Sequence, residues 1–292
     1  MRAWFEGDLD PAIAEVTNAL AIAEELEDLA LRIEGHMRLG SMLVNSGHLA
    51  AADEHLSRCV DLAAGVGSFR DEARATSMLG FVKYYRGETD LAERLAEQAL
   101  EWLERTLDSH LQIQNLRELA RYSLRRGDAE EAERRLREAL PLALDGGGYL
   151  VLEIYRYLVA VLVTQGRIED AKKLLAFAAR DVPEEDPYAR AAFLVAEALV
   201  ATAAGERTAA ATSFAEALRL LDEQQLMIDL AETRIELARA LRTFGDESGA
   251  RAELQRARAV FARMDARTFV AEIDAELTEL TEGAGASGPL RS

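Results

Sequence analysis

The sequence predicts an all-α fold, a right-handed α-solenoid of antiparallel helical hairpins, and three observations lead there. A glycine recurs at a nearly constant interval of 39 or 40 residues. Small and large apolar residues follow each of these glycines at fixed helical spacing. The composition is that of a helical chain: 49% hydrophobic and only 6% aromatic, with five prolines in 292 residues. Ala, Leu, Glu and Arg dominate, and none of them loses much side-chain freedom in a helix.

The glycines are Gly7, Gly47, Gly87, Gly127, Gly166, Gly205 and Gly245, separated by 40, 40, 40, 39, 39 and 40 residues. Five residues after each comes alanine: Ala12, Ala52, Ala92, Ala132, Ala171, Ala210 and Ala250. Four further on stands Val16, Leu56, Ala96, Leu136, Leu175, Phe214 or Leu254. Three after that stands Ala19, Cys59, Ala99, Ala139, Ala178, Ala217 or Ala257. A glycine between two helices lets the chain reverse tightly. The two small positions lie about two turns apart on one helix face, where they let helix axes approach, and the larger residue between them fills the gap. The segments before the glycines are helical in period too, as in Met37, Leu39-Gly40 and Leu43, or Leu116, Leu119-Ala120 and Leu124. Asp128 and Asp246 are suited to cap second helices.

This pattern resembles the tetratricopeptide repeat (TPR) over residues 1–280. The large–small pairs Leu39-Gly40, Leu79-Gly80 and Leu119-Ala120 stand where that family has its own, and the alanines match its second helix. The period of about 40 exceeds the family's 34, and most copies lack its closing proline, Pro141, Pro183 and Pro187 being placed in or near connections. The long period is similar to the maltose-regulator-like (MalT-like) type of bacterial signalling regulators. The end segment from Val260 to Leu277 looks like an array end of that type, with no ATPase loop and no helix-turn-helix beside it. The expected domain is 1–280, a half hairpin, six full hairpins and a capping helix from Arg267 to Leu280, with 281–292 a disordered tail. Only six residues precede Gly7, so the array is expected to start uncapped, as the C-terminal part of a longer parent or as a surface for self-association.

The formal charge of −18 repels phosphate backbones and anionic membranes, so neither nucleic acid nor membrane is expected as a partner. No apolar run is long enough for a span. The single cysteine excludes an internal disulfide and fits a reducing, cytoplasmic setting. Catalysis needs convergent groups, and none can be assembled; the protein is expected to be no enzyme and to carry no metal or cofactor. His48 and His55 could share a helix face but sit about 10 Å apart along it, too far for one ion, and His36 and His110 read as ordinary. Cys59 fills a packing position that holds Ala elsewhere. Gly146-Gly147-Gly148 lacks the Lys-Ser or Lys-Thr of a phosphate loop. Glu184-Glu185-Asp186 lacks calcium-loop spacing.

The resemblance also implies a concave groove lined by first helices, which places Arg74, Phe81, Tyr84, Gln114, Arg117, Arg121, Arg125 and Arg156 in the binding surface, with Tyr85, Glu153 and Glu232 beside them. Arg117, Arg121 and Arg125 are four apart and form one stripe; like charges so placed cost about 0.2–0.5 kcal/mol per pair unless answered. The stripe reads as a recognition site for carboxylates or phosphates, or as a structural feature neutralised by Glu118 and Glu153. The expected function is a protein- or peptide-binding scaffold, a sensor or assembly arm taking an acidic or extended ligand. The second reading is a small-molecule sensor whose ligand alters the superhelix curvature.

Overall fold

The computed structural model describes residues 9–286 except 107, 147–149, 181 and 184. Gly7, Gly147, Gly148 and the tail 287–292 lie outside the described residues. The described chain is helical throughout, with α1 at Leu9–Glu25 followed by six hairpins. These pair α2 (Leu29–Asn45) with α3 (Leu49–Val66), α4 (Phe69–Tyr85) with α5 (Thr89–Thr106), and α6 (Ser109–Arg125) with α7 (Ala129–Gly146). Then come α8 (Leu150–Thr164) with α9 (Ile168–Ala178), α10 (Pro187–Ala203) with α11 (Arg207–Glu223), and α12 (Met227–Thr243) with α13 (Glu247–Arg263). The last helix, α14, spans Arg267–Ala286 and so continues six residues past 280.

The glycine register builds these hairpins as its spacing requires. Gly47 and Gly87 turn at φ of 80° and 87°, which side-chain-bearing residues rarely adopt. Asp128 and Asp246 accept hydrogen bonds from the backbone N–H groups of Glu131 at 3.0 Å and Gly249 at 2.8 Å, capping α7 and α13. In the second helices Ala52, Leu56 and Cys59 are fully buried, and Leu56 packs so closely on Gly40 that an added Cβ would lie 2.6 Å from it. The large–small pair is therefore a fitted contact between the two helices of one hairpin. Cys59 donates to the carbonyl of Ile33 at 3.4 Å, and burial pushes its thiol up to about 12.

Pro141 departs from expectation, because it lies inside α7 and not in a connection. It is exposed, so the backbone carbonyl deprived of a partner four residues earlier can be met by water. Pro187 opens α10 at its first turn behind the capping Asp186.

The first helices α2, α4, α6, α8, α10 and α12 touch in succession along the inner side of the array. The array then meets itself. Helix α14 returns to α4, and the α13–α14 turn sits on the hairpin turns of the first two hairpins. A Cβ on Gly47 would lie 2.8 Å from Met264, and one on Gly87 would lie 1.9 Å from the Thr268 hydroxyl. Gly127, Gly166, Gly205 and Gly245 turn the same way with nothing within 4 Å of such a Cβ. Only at the two early turns does glycine also make room for a returning chain. An aromatic cluster seals the seam: Phe269 stacks on Phe261 at 4.7 Å and Tyr85 at 4.9 Å, and Tyr84 stacks on Tyr122 at 4.5 Å between ring centroids.

Candidate functional site, a central cavity

Closure turns the concave groove into a cavity. Its volume is about 700 Å³, and its walls come from three places in the sequence: Phe81, Arg117, Arg121, Glu153 and Tyr157 of the first helices, the C-terminal end of α2 at Val44-Asn45-Ser46, and the α11–α12 turn from Gln224 to Asp229. Gln225 holds that turn with φ of 55°, a left-handed conformation unusual for a residue with a side chain.

Arg117 and Arg121 of the arginine stripe face this space, and both are already answered. Arg117 donates to Glu118 at 2.7 Å and also to Glu153, which in turn accepts from the Tyr188 hydroxyl. Arg121 donates to Glu118 at 2.8 Å, to Glu232 and to the Tyr85 hydroxyl, while Tyr85 donates to Glu232. Burial opposes charge on both guanidiniums, yet Glu153 and Glu118 for Arg117, and Glu118 and Glu232 for Arg121, hold their pKa values well above the ordinary range. Glu232 is desolvated as well, but Arg121 and the Tyr85 hydroxyl keep its carboxyl below the usual value.

Of the eight residues expected in the binding surface, Phe81, Arg117 and Arg121 line the cavity. Tyr84 is buried in the seam. Arg125 binds Glu272 of α14 at 2.5 Å and lies 3.8 Å over the Phe269 ring. Arg156 is buried against Glu236 of α12 at 3.3 Å. Arg74 is exposed, and Gln114 pairs with His110 at 3.3 Å; neither lines the cavity. The stripe thus divides its length, with Arg117 and Arg121 on the cavity and Arg125 on the seam.

Sequence reasoning missed Asp229. It lines the cavity and makes no hydrogen bond or ion pair among the described residues. Burial and the neighbouring Glu232 charge push its carboxyl up to about 6, against the pull of Arg156. Nothing local marks it, since Met227-Ile228-Asp229 resembles any first helical turn; its isolation arises from residues far apart in the chain.

The histidines also pair differently from expectation. His48 bonds the Ser46 hydroxyl at 3.0 Å, whereas His36 of α2 and His55 of α3 face each other with Nδ1 atoms 3.0 Å apart. Burial, and then its neighbour His55, bring His36 down to about 4. Among the described residues no group of three or more His, Cys, Asp or Glu could hold a metal ion. No described helix is long and apolar enough to cross a membrane.

A ring of helical hairpins enclosing a lined cavity defines the class, an all-α repeat solenoid. Residues 71–145 match the tetratricopeptide repeat family model, and the hairpins on either side repeat that segment's glycine–alanine register. That segment is of the TPR type, and the array is a helical-hairpin solenoid built on the same register. No curated protein matches the chain. Among solved structures it is similar to a Rap protein complexed with competence and sporulation factor, at 16% identity and TM-score 0.73, covering 96% of this chain and 74% of that one. It is also similar to aspartyl phosphate phosphatase F from Bacillus subtilis, at 12% identity and TM-score 0.71, covering 87% and 67%. A third is the Rap conjugation gene regulator of the plasmid pLS20 in complex with the Phr* peptide, at 14% identity and TM-score 0.59, covering 92% and 80%. At these identities the likeness is one of fold.

Proposed function

We propose that the protein is a non-catalytic scaffold that takes a short peptide, or an extended segment of a partner protein, into the central cavity, and that it serves as the sensor arm of a bacterial, maltose-regulator-like system. One observation carries this reading: the cavity is large enough for several side chains and presents a half-buried, unpaired carboxylate, Asp229, beside the answered Arg117, Arg121 and Glu232. Two structures of similar fold hold a named factor or peptide, which supports a peptide ligand here. The acidic ligand read from the stripe would have to displace Glu118, Glu153 or Glu232 from Arg117 and Arg121. A ligand ammonium or guanidinium at Asp229 displaces no protein partner and answers a half-buried, unpaired charge. The ligand is therefore a peptide with a cationic group, held by the apolar walls of Phe81, Tyr157 and Met227.

The test is a positional-scan library of short peptides read by fluorescence anisotropy. Wild type is expected to bind peptides with a lysine, arginine or free amine at one position, and Asp229→Asn to lose that preference. Equal preference in both proteins would sink the assignment of Asp229. The small-molecule reading draws on the cavity volume, which lies within the range of roughly 300–1,000 Å³ usual for such sites. A metabolite that raises the melting temperature when no peptide does would favour it.

A further inference from the structure

The wall of the central cavity is short of positive charge. Two guanidiniums line it, Arg117 and Arg121, against four carboxylates, Glu153, Asp222, Asp229 and Glu232. The guanidiniums are taken up by Glu153, Glu232 and Glu118. The carboxyl groups of Asp222 and Asp229 accept no hydrogen bond and form no ion pair among the described residues. The two differ in depth, Asp229 being half-buried and Asp222 exposed. They flank one tight turn, Asp222 in the last turn of α11 and Asp229 in the first turn of α12. Backbone N–H groups of Gln224, Gln225 and Leu226 fix that turn, donating to the carbonyls of Leu220, Asp222 and Leu221 at 3.2, 3.0 and 3.0 Å. The fold itself gives Asp222 no reason to be acidic. A negative charge in the last turn of a helix opposes the helix dipole, and α11 has no basic residue there to offset it. Its neighbour Glu223 is answered by Arg219 at 2.5 Å, whereas Asp222 lines the cavity.

Resting on the peptide reading above, we propose that the ligand carries two positive charges, one that enters the cavity to Asp229 and one that stays at its rim on Asp222. The number follows from the two carboxylates that no protein group answers, and the division of labour follows from their burial. A charge at half-buried Asp229 loses part of its water and must fit, so this carboxylate selects the ligand and slows its release. A charge at exposed Asp222 stays hydrated and is screened by salt, so this one steers the ligand in and holds it weakly. Between them the chain presents Leu226, Met227 and Ile228 to the cavity, along which the aliphatic stem of a lysine or arginine can lie. Gln224 and Gln225 are exposed at the same rim, where their amides offer donors and acceptors to a peptide backbone. A bare diamine would leave Phe81 and Tyr157 uncovered on the wall. The two charges therefore belong to an extended peptide with two lysine or arginine residues, which also brings apolar side chains.

The probes are a positional-scan library of short peptides with uncharged, capped ends, in which one lysine is fixed and a second is scanned, and the diamine cadaverine. Binding to the full chain is read by fluorescence anisotropy, and rates by stopped flow. On wild type the second lysine should tighten binding about two- to fivefold at low salt, and the gain should disappear at high salt. Asp222→Asn should remove that gain by slowing association, and should leave the preference for the first lysine intact. Asp229→Asn should weaken every lysine-bearing peptide about tenfold or more through faster dissociation. Asp222→Asn should not lower the melting temperature, because it removes a charge that opposes the helix dipole. A second lysine that changes nothing on wild type, or a gain that survives Asp222→Asn, would overturn the proposal and leave the one-cation reading standing. No preference for even the first lysine would overturn both. Cadaverine bound as tightly as the two-lysine peptides would overturn the peptide class in favour of a small dication.

Discussion

The seam and the α1 end contrast two fates of the same repeat. Where the array closes on itself, residues more than a hundred positions apart satisfy one another: Arg121 and Tyr85 with Glu232 beside the cavity, and Arg125 with Glu272 at the seam. At α1, a residue type buried in six other copies is exposed. The chemistry of the repeat is similar at both places, and what differs is the neighbour. In a solenoid each unit is completed by the next, so a unit whose neighbour returns from afar becomes a core.

That contrast sets an order of expected effects. The largest belongs to the cavity wall. Arg121→Ala leaves Glu232 without its paired cation and Glu118 with Arg117 alone, and about 3–5 kcal/mol of stability should be lost; chemical denaturation measures it. A loss below about 1 kcal/mol would mean that water reaches these carboxylates and that the ring stands open.

Asp229 should behave in the opposite sense. Its carboxyl is raised to about 6 in the folded protein from an ordinary 3.8, so the folded state binds a proton more readily and ionisation weakens the fold. Asp229→Asn should therefore raise the melting temperature at pH 7–8. The gain should shrink as pH falls through 6 and vanish near 4, and a pH series of thermal melts on both proteins checks it. Next comes the histidine pair, with Glu24 of α1, Glu54 and Arg58 of α3 and Arg32 of α2 around it. His36 falls from 6.5 to about 4 on folding, so the unfolded chain takes the proton first. Its neutral form stabilises fully above 6.5, and that contribution is lost as pH drops toward 4. His55→Gln, which removes the facing imidazole, should flatten the acid slope between pH 6.5 and 4.

The smallest effects belong to half-exposed groups. Glu272 is 52% exposed, and Glu272→Gln should cost under about 1 kcal/mol, because Arg125 keeps its place over Phe269.

These differences also explain what the sequence made legible. The glycine interval and the alanine register are local, and local spacing determines the hairpins; Gly40 against Leu56 could be anticipated from the large–small pair alone. The arginine stripe was visible as a stripe, and Glu118 on the same helix and Glu153 on α8 were visible as neutralising neighbours. The remaining partners, Glu232 and Glu272, come from helices that reach the stripe only because the superhelix completes a circuit. No interval in the sequence encodes that closure. Asp229 was hidden for the same reason, since a carboxylate is unpaired only by reference to everything around it. Pro141 was misplaced because proline is tolerated within a helix where the freed carbonyl faces water, and burial is not written in the local pattern.

The closed ring is the central claim, and a distance across the seam tests it most directly. Spin labels on Glu88→Cys and Arg267→Cys, both exposed positions beside the Gly87–Thr268 contact, can be read by electron–electron double resonance. The single native cysteine, Cys59, is buried. A closed ring gives one short, narrow distance that Arg121→Ala lengthens or broadens. A long or broad distribution in the unaltered background would contradict closure, and would return the arginine stripe to an open groove.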